Sequence, residues 1–277
     1  KNQLVGSMLD IERRPAYWSD ASQSPVALQT PTPAIGEGLD LNDKGWSVGW
    51  AADVDGPYLV RWSPTGAIEA LSDMRTVSYV PFAISDTGII VGAEMNITDG
   101  RWAPGAFYWD GAFHSLSPPV ALGDSTGAYD VNSAGIIVGS VNPVISANGD
   151  KLGRAVAWNT SGGIQVLALP AGMDRPDVSS SGITINERGL IGGGFYDGSV
   201  NTSFAAYWTP EGEVHVLPGL PGSVVNEVTS VNNLGWFVGV SDNQAVIWQP
   251  VPEPSSLMVF AGLGSLWLVS RRRSMQR

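Results

Sequence analysis

"DVNSAGIIVGS", residues 130 to 140, decides the fold. The four residues from Tyr129 to Asn132 alternate apolar and polar side chains, as a half-buried strand does. Asn132 and Gly135 hold the first and fourth places of a type I turn. The run "IIVGS" that follows is apolar and rich in β-branched residues, so it reads as a second strand. Eleven residues therefore describe a tight hairpin, and the chain writes that hairpin five times.

The other copies are "DLNDKGWSVGW" (40 to 50), "AISDTGIIVGA" (83 to 93), "TINERGLIGGG" (184 to 194) and "SVNNLGWFVGV" (230 to 240). Two glycines stand four apart in each: Gly45/Gly49, Gly88/Gly92, Gly135/Gly139, Gly189/Gly193 and Gly235/Gly239. A second box follows every hairpin and ends at Trp62, Trp109, Trp158, Trp208 or Trp248. The N-terminus carries a partial copy, "LVGS" at 4 to 7 and "PAYW" ending at Trp18, which makes six copies, five of them with both boxes.

Each Trp box is a third strand, and segments such as "AIEAL" or "EVHVL" supply a fourth. "SPTG" (63 to 66) and "TPEG" (209 to 212) are tight turns between strands three and four, with Pro at the second position. Four antiparallel strands every 40 to 54 residues, six times over, predict an all-β fold, a β-propeller of about six four-stranded blades. No apolar pattern of helical period is long enough for a βα or helix-pair repeat.

The ends of the array are unequal. The first copy lacks its "N-x-x-G" strand and the last lacks the strand that should follow Trp248, so the expected join between first and last blades is strand-deficient. Lys1 is not an initiator methionine, and "KNQLVGSMLD" has no apolar core of a secretory signal. The expectation is that residues ahead of Lys1 are missing and complete the join.

The formal net charge is −11, and its distribution is more telling than its sum. Up to Pro250 the chain carries 11 Lys and Arg against 25 Asp and Glu, while residues 251 to 277 carry four arginines against Glu253 alone. A body this acidic excludes nucleic acid and anionic membrane surfaces as partners. The absence of cysteine excludes a disulfide scaffold, a thiol nucleophile and cysteine-based metal sites.

The basic charge lies behind "SSLMVFAGLGSLWLVS" (255 to 270), 16 residues without a charge. As a helix this run reaches about 24 Å at about 1.5 Å per residue, short of the roughly 30 Å hydrocarbon core. A buried core helix is the competing reading. Arg271, Arg272 and Arg273 directly after the last apolar turn favour an inserted helix with a cytoplasmic basic end (271 to 277) and residues 1 to 250 outside.

"VPEP", a short apolar stretch and an arginine cluster, in that order at the C-terminus, resemble the PEP-CTERM sorting signal of Gram-negative bacteria. The resemblance covers residues 251 to 277. It implies that an exosortase, a membrane enzyme, recognises Pro252, Glu253 and Pro254 (251 to 254) and removes the tail in transit, in bacteria that make exopolysaccharide or biofilm matrix. Over residues 4 to 248 the "N-x-x-G-x-x-V-G" and "A-x-x-W" boxes resemble the HAF family of extracellular, propeller-like repeats. The resemblance implies location and architecture, not an activity. Two domains are expected: a repeat domain, 1 to 250, and a sorting tail, 251 to 277.

The strand two-to-three loops and the links between blades share one face and vary in length. From the second glycine to the Trp the distance runs from 9 residues (Gly239 to Trp248) to 19 (Gly139 to Trp158). Variation on one face of a rigid scaffold reads either as a binding surface or as drift in surface loops. Trp102, in the long loop "AEMNITDGRWAPG" (93 to 105), is the aromatic placed for ligand contact. Asp40 and Asp130 share one slot on the innermost strand, where paired carboxylates could work at the channel mouth; the other copies carry Ala83, Thr184 and Ser230 there.

The remaining polar motifs read as structure. His114 and His215 share a slot with Glu69 and Gln165, an outward strand position rather than a catalytic one. The recurrent tryptophans read as blade-to-blade packing. "DVDG" at 53 to 56 lacks the ligand series of a calcium loop and reads as a turn. The triplets at Asn96, Asn159 and Asn201 match a glycosylation acceptor, a weak signal in a bacterial chain. No cofactor, no metal and no catalytic residue is expected. The sequence thus describes an exported, non-enzymatic β-propeller delivered to the cell surface or matrix. It would be held in the membrane by its tail before processing and bind an exopolysaccharide or a surface protein; a carbohydrate-active lyase or hydrolase is the alternative.

Overall fold

The computed structural model describes residues 3–9, 13–31, 35–53, 56–72, 77–96, 105–116, 125–142 and 153–250. Among the described residues the chain is all strand, 22 strands in six antiparallel sheets, each sheet a meander of consecutive strands. The expected helix at 255–270 lies outside them.

Sheet I is Leu4–Leu9 (β1), Arg13–Trp18 (β2) and Val26–Ala27 (β3). Sheet II runs Ile35–Leu41 (β4), Ser47–Asp53 (β5), Gly56–Trp62 (β6) and Ile68–Ala70 (β7). Sheet III runs Val77–Ile84 (β8), Ile90–Asn96 (β9), Gly105–Trp109 (β10) and Phe113–Leu116 (β11). Sheet IV runs Ser125–Val131 (β12), Ile136–Asn142 (β13), Arg154–Asn159 (β14) and Ile164–Val166 (β15). Sheet V runs Val178–Ile185 (β16), Ile191–Asp197 (β17), Thr202–Trp208 (β18) and Val214–Val216 (β19). Sheet VI stops at three: Asn226–Val231 (β20), Phe237–Ser241 (β21) and Gln244–Trp248 (β22). Among the described residues the first and last sheets in chain order are the three-stranded ones, without a counterpart of the first strand in one case and of the fourth in the other.

The glycine pair has a different reason at each position. The first glycine closes the turn in the left-handed region, with φ of 75° at Gly135 and 82° at Gly45. The second lies under a bulge of the innermost strand, where the register slips by one residue, between Ala128 and Asp130 in sheet IV. A Cβ on Gly139 would stand 1.8 Å from the carbonyl oxygen of Gly127, and one on Gly49 would stand 1.9 Å from that of Glu37. Only glycine lets the bulged strand come so close.

Each sheet packs face to face on the next in chain order, and the apolar core lies between them in layers. Val48 of sheet II meets Ile84, Ile90 and Phe107 of sheet III, and Val138 of sheet IV meets Ile185 and Ile191 of sheet V. Burying such side chains contributes about 1.5–3 kcal/mol each. Trp62 and Trp208 are fully buried and Trp158 nearly so. The indole of Trp62 donates to the Gln29 carbonyl at 2.7 Å, that of Trp208 to Ala168 at 2.7 Å, and that of Trp248 to Pro218 at 2.8 Å. In each case the acceptor lies on the link leaving the preceding sheet, so these tryptophans tie sheet to sheet. Trp158 has no partner among the described residues; the corresponding link, 117–124, lies outside them.

Candidate functional site

Polar bridges between the sheets surround the central channel. The innermost strands of sheets II to VI end their sheets there, and their outward N–H groups need acceptors. The Asp40 carboxylate accepts from Ile84 N–H of sheet III at 2.7 Å. Asp130 accepts from Ile185 N–H at 2.8 Å and from the Thr184 hydroxyl at 3.0 Å, both in sheet V. Burial pushes both carboxyls up, Asp40 to about 6, against the lowering effect of these backbone N–H groups. The charge of Asp130 adds to the rise at Asp40. The two aspartates are thus on sheets II and IV, each reaching to the following sheet, with sheet III between them.

His114 and His215 lie on the short outer strands, stacked on Tyr108 at 4.4 Å and Tyr207 at 4.8 Å. His114 Nε2 is 2.9 Å from Asp110 and His215 Nε2 is 3.7 Å from Glu213. The hydroxyl of Tyr58 donates to Asp53. Among the described residues no group of three His, Asp or Glu could hold a metal ion. Trp102, Asp55 and the tail residues Pro252, Glu253, Pro254, Arg271, Arg272 and Arg273 lie outside the described residues.

The loop face carries a cleft of about 430 Å³ over sheet V and its two neighbours. Ser179, Ser181 and Ile183 of β16, Tyr196 of β17, Ser203 of β18, and Glu227 and Thr229 of β20 line it, with Ser140 and Gly153 from sheet IV. Most belong to the half of the sheets opposite the Asn-x-x-Gly turns, while Ile183 and Thr229, at the bulges of β16 and β20, reach toward the turn side. The floor is held by buried polar contacts. Ser180 Oγ accepts from Ala155 N–H at 3.0 Å, and the Asn226 amide donates to the Ser203 carbonyl at 3.2 Å and accepts from Ser241 Oγ at 2.7 Å. On the rim, Tyr196 donates to Asn201 Oδ1 at 2.8 Å and is 39% exposed. Below it Arg175 binds Asp197 at 2.5 Å and holds that carboxyl at about 2.

Among the described residues lining this cleft Glu227 is the only charged one; the rest offer hydroxyls, the Asn226 amide, backbone groups, the apolar side chains of Ile183, Phe195 and Val228, and the exposed Tyr196 ring. Such a surface suits hydroxyl-rich, uncharged or amino-bearing ligands and disfavours anions. The variable loop lengths point to this face, but no pattern in the sequence singles out these residues. The available signal was "VSSSG" (178 to 182), a hydroxyl-rich start to an innermost strand, with Glu227 in the register position of Ser181. That two sheets bring these together is visible only in three dimensions.

Comparison with known proteins supports the tail and the fold separately. Residues 250–274 match the PEP-CTERM protein-sorting motif. The motif implies an exported protein, sorted by an exosortase and held through its C-terminal tail before processing. Solved structures resemble the repeat body at low identity. TolB from Acinetobacter baumannii superposes with a TM-score of 0.50 at 11% identity, over 77% of this chain and 50% of that one. The chain therefore spans half the length of that protein, and the likeness carries the propeller fold alone. Streptogramin B lyase (TM-score 0.45, 13% identity, 87% of this chain and 77% of that one) is a further neighbour. Virginiamycin B lyase from Staphylococcus aureus (TM-score 0.40, 12% identity, 87% and 78%) is another. No curated protein matches the chain in sequence.

Proposed function

We propose that the chain is a non-enzymatic display protein of the cell surface or biofilm matrix, whose loop-face cleft binds a neutral or amino-bearing polysaccharide. The repeat domain (1 to 250), of HAF type, would be the binding module, and the tail (251 to 277) would set its location in a Gram-negative bacterium. The observation that carries the reading is the cleft, whose described lining includes the hydroxyls of Ser179, Ser181 and Ser203 and the carboxylate of Glu227 beside the exposed Tyr196 ring. Aromatic faces stack on sugar rings, and hydroxyl and carboxylate groups take their hydroxyl and amino hydrogens. Trp102, which the sequence puts in the connection between β9 and β10, would be a separate candidate for ligand contact.

Binding is tested by calorimetry with oligosaccharides of a neutral glucan, of partly deacetylated chitin and of alginate. Saturable binding to either of the first two, weakened at least about tenfold by Tyr196→Ala or Ser181→Leu, is the expected result. Preference for alginate, or wild-type affinity in both variants, overturns it.

One observation favours a second reading, a lyase or hydrolase: the Asp40 carboxyl, raised to about 6, lies in the range useful to a general acid. Turnover of matrix polysaccharide that disappears in Asp40→Asn/Asp130→Asn would establish that reading. A wild type without turnover removes it.

A further inference from the structure

One slot of the innermost strand recurs in sheets II to VI, the residue whose carbonyl faces the second glycine of the repeat. Glu37, Val80, Gly127, Ser181 and Glu227 hold it, each directly ahead of the bulge. In sheet V the slot is a serine and in sheet VI a glutamate, and both residues line the cleft of about 430 Å³. The short side chain of Ser181 leaves room that a longer one would take. Glu227 borders that room from β20, which packs on β16.

Glu227 is exposed, and its carboxylate has no hydrogen bond or ion pair among the described residues. The cations beside the cleft are engaged elsewhere. Arg154, next to the lining residue Gly153, donates to the Val178 carbonyl and lies 3.7 Å from Asp174. Arg175 binds Asp197 at 2.5 Å and lies 3.4 Å from Asp177. The negative charge in the cleft is therefore not compensated there, and the chain up to Pro250 carries 25 Asp and Glu against 11 Lys and Arg. A concave site of this sign concentrates cations and repels anions. A neutral sugar gives the carboxylate an ordinary hydrogen bond, whereas an ammonium gives a charge-assisted one, roughly twice as strong.

We infer that the cleft selects glycans carrying free amino groups over their neutral counterparts, and that Glu227 sets this selectivity. The inference rests on the reading of the cleft as a glycan site and adds which glycan it takes. The Glu227 carboxylate pairs with one ammonium of a hexosamine unit. The exposed Tyr196 ring, held by its hydrogen bond to Asn201, takes the face of a sugar ring, and this contact is common to charged and neutral chains.

The test is calorimetry on the full chain with short oligosaccharides of fully deacetylated chitin and of fully acetylated chitin, which share one backbone, at a slightly acid pH where the amines are protonated. The deacetylated oligomer should bind at least about fivefold more tightly. Glu227→Gln should abolish that preference and leave the affinity for the acetylated oligomer unchanged, while Tyr196→Ala should weaken both. The preference should also shrink at about 1 M salt, where charges more than about 3 Å apart are screened. Glu213→Gln removes a charge that is 74% exposed beside the outer strand β19, and it should leave both affinities as they are. Equal binding of the two oligomers overturns the selectivity and leaves the glycan site standing. A preference that survives Glu227→Gln comes from the bulk of the acetyl group and overturns the role of Glu227. An equal loss in Glu213→Gln would mean attraction to the acidic body at large and overturns the inference. Binding of neither oligomer, nor of a neutral glucan, overturns the glycan site itself and this inference with it.

Discussion

The carboxylate of Asp130, on the innermost strand of sheet IV, accepts the N–H of Ile185 on the innermost strand of sheet V at 2.8 Å. Asp40 repeats the contact to Ile84 at 2.7 Å two sheets earlier. One side chain therefore fixes the angle between consecutive sheets at the point where the channel edge would leave a backbone donor unpaired. Removing the acceptor strands a backbone N–H, at a cost of about 1–3 kcal/mol. Asp130→Ala is expected to lower stability by that amount and Asp130→Asn, which keeps an acceptor oxygen, by less; urea melts of the two variants decide it.

The pH dependence of these contacts has a definite sign. The Asp40 carboxyl sits at about 6 in the folded chain, above its ordinary 3.8, so between those values the folded state holds more protons than the unfolded one. Stability from this group is greatest below about pH 4 and falls as pH rises toward 6, by an order of 2 kcal/mol. Asp130 acts in the same direction. Asp40→Asn should flatten the slope between pH 4 and 6 in denaturant melts, and an unchanged slope would remove the assignment.

Asp197 has the opposite sign. Arg175 and Ser199 hold its carboxyl at about 2, below the ordinary 3.8. Its contribution is present above about pH 4 and is lost as pH falls toward 2. Asp197→Asn should therefore narrow the stability difference between pH 5 and pH 2.5, and it should loosen the end of β17 that carries Tyr196, read as faster amide exchange there.

The two glycines of the repeat should fail differently. Gly139→Ala would set a Cβ 1.8 Å from a backbone carbonyl that cannot move without breaking the β12–β13 ladder. Gly88→Ala meets nothing within 4 Å and suffers only its φ of 89°. The expected losses are more than about 3 kcal/mol for the first and about 1–2 kcal/mol for the second, compared by thermal melts.

Cleavage of the tail is checked by intact mass in a host with an exosortase. The wild type should lose its C-terminal segment and move out of the membrane fraction. The Pro252→Ala/Glu253→Ala/Pro254→Ala variant should keep the segment and stay there.

Much of this protein is local and was therefore legible in its sequence. The hairpin of "DVNSAGIIVGS" is specified by an Asn at the turn's start, a Gly with positive φ at its end, and β-branched residues after it, none of which needs a distant partner. Counting those five hairpins together with the partial copy at the N-terminus yields the six sheets, and the missing boxes at the two ends yield the two three-stranded sheets. The tail is likewise readable because a sorting signal is recognised as a linear segment.

The assignment of roles to side chains was decided only by tertiary structure. Asp40 and Asp130 look like free carboxylates along the chain, yet their partners are 44 and 55 residues away, on the next sheet. Ser181 and Glu227 look like ordinary strand residues, and only the packing of sheet VI on sheet V places them around one cleft. The second glycine's reason was equally hidden, since the carbonyl that excludes a Cβ belongs to a bulge in the paired strand. A sequence states what each residue prefers locally; which groups end up facing each other depends on the angle at which the sheets stack, and that is set by contacts between residues far apart in the chain.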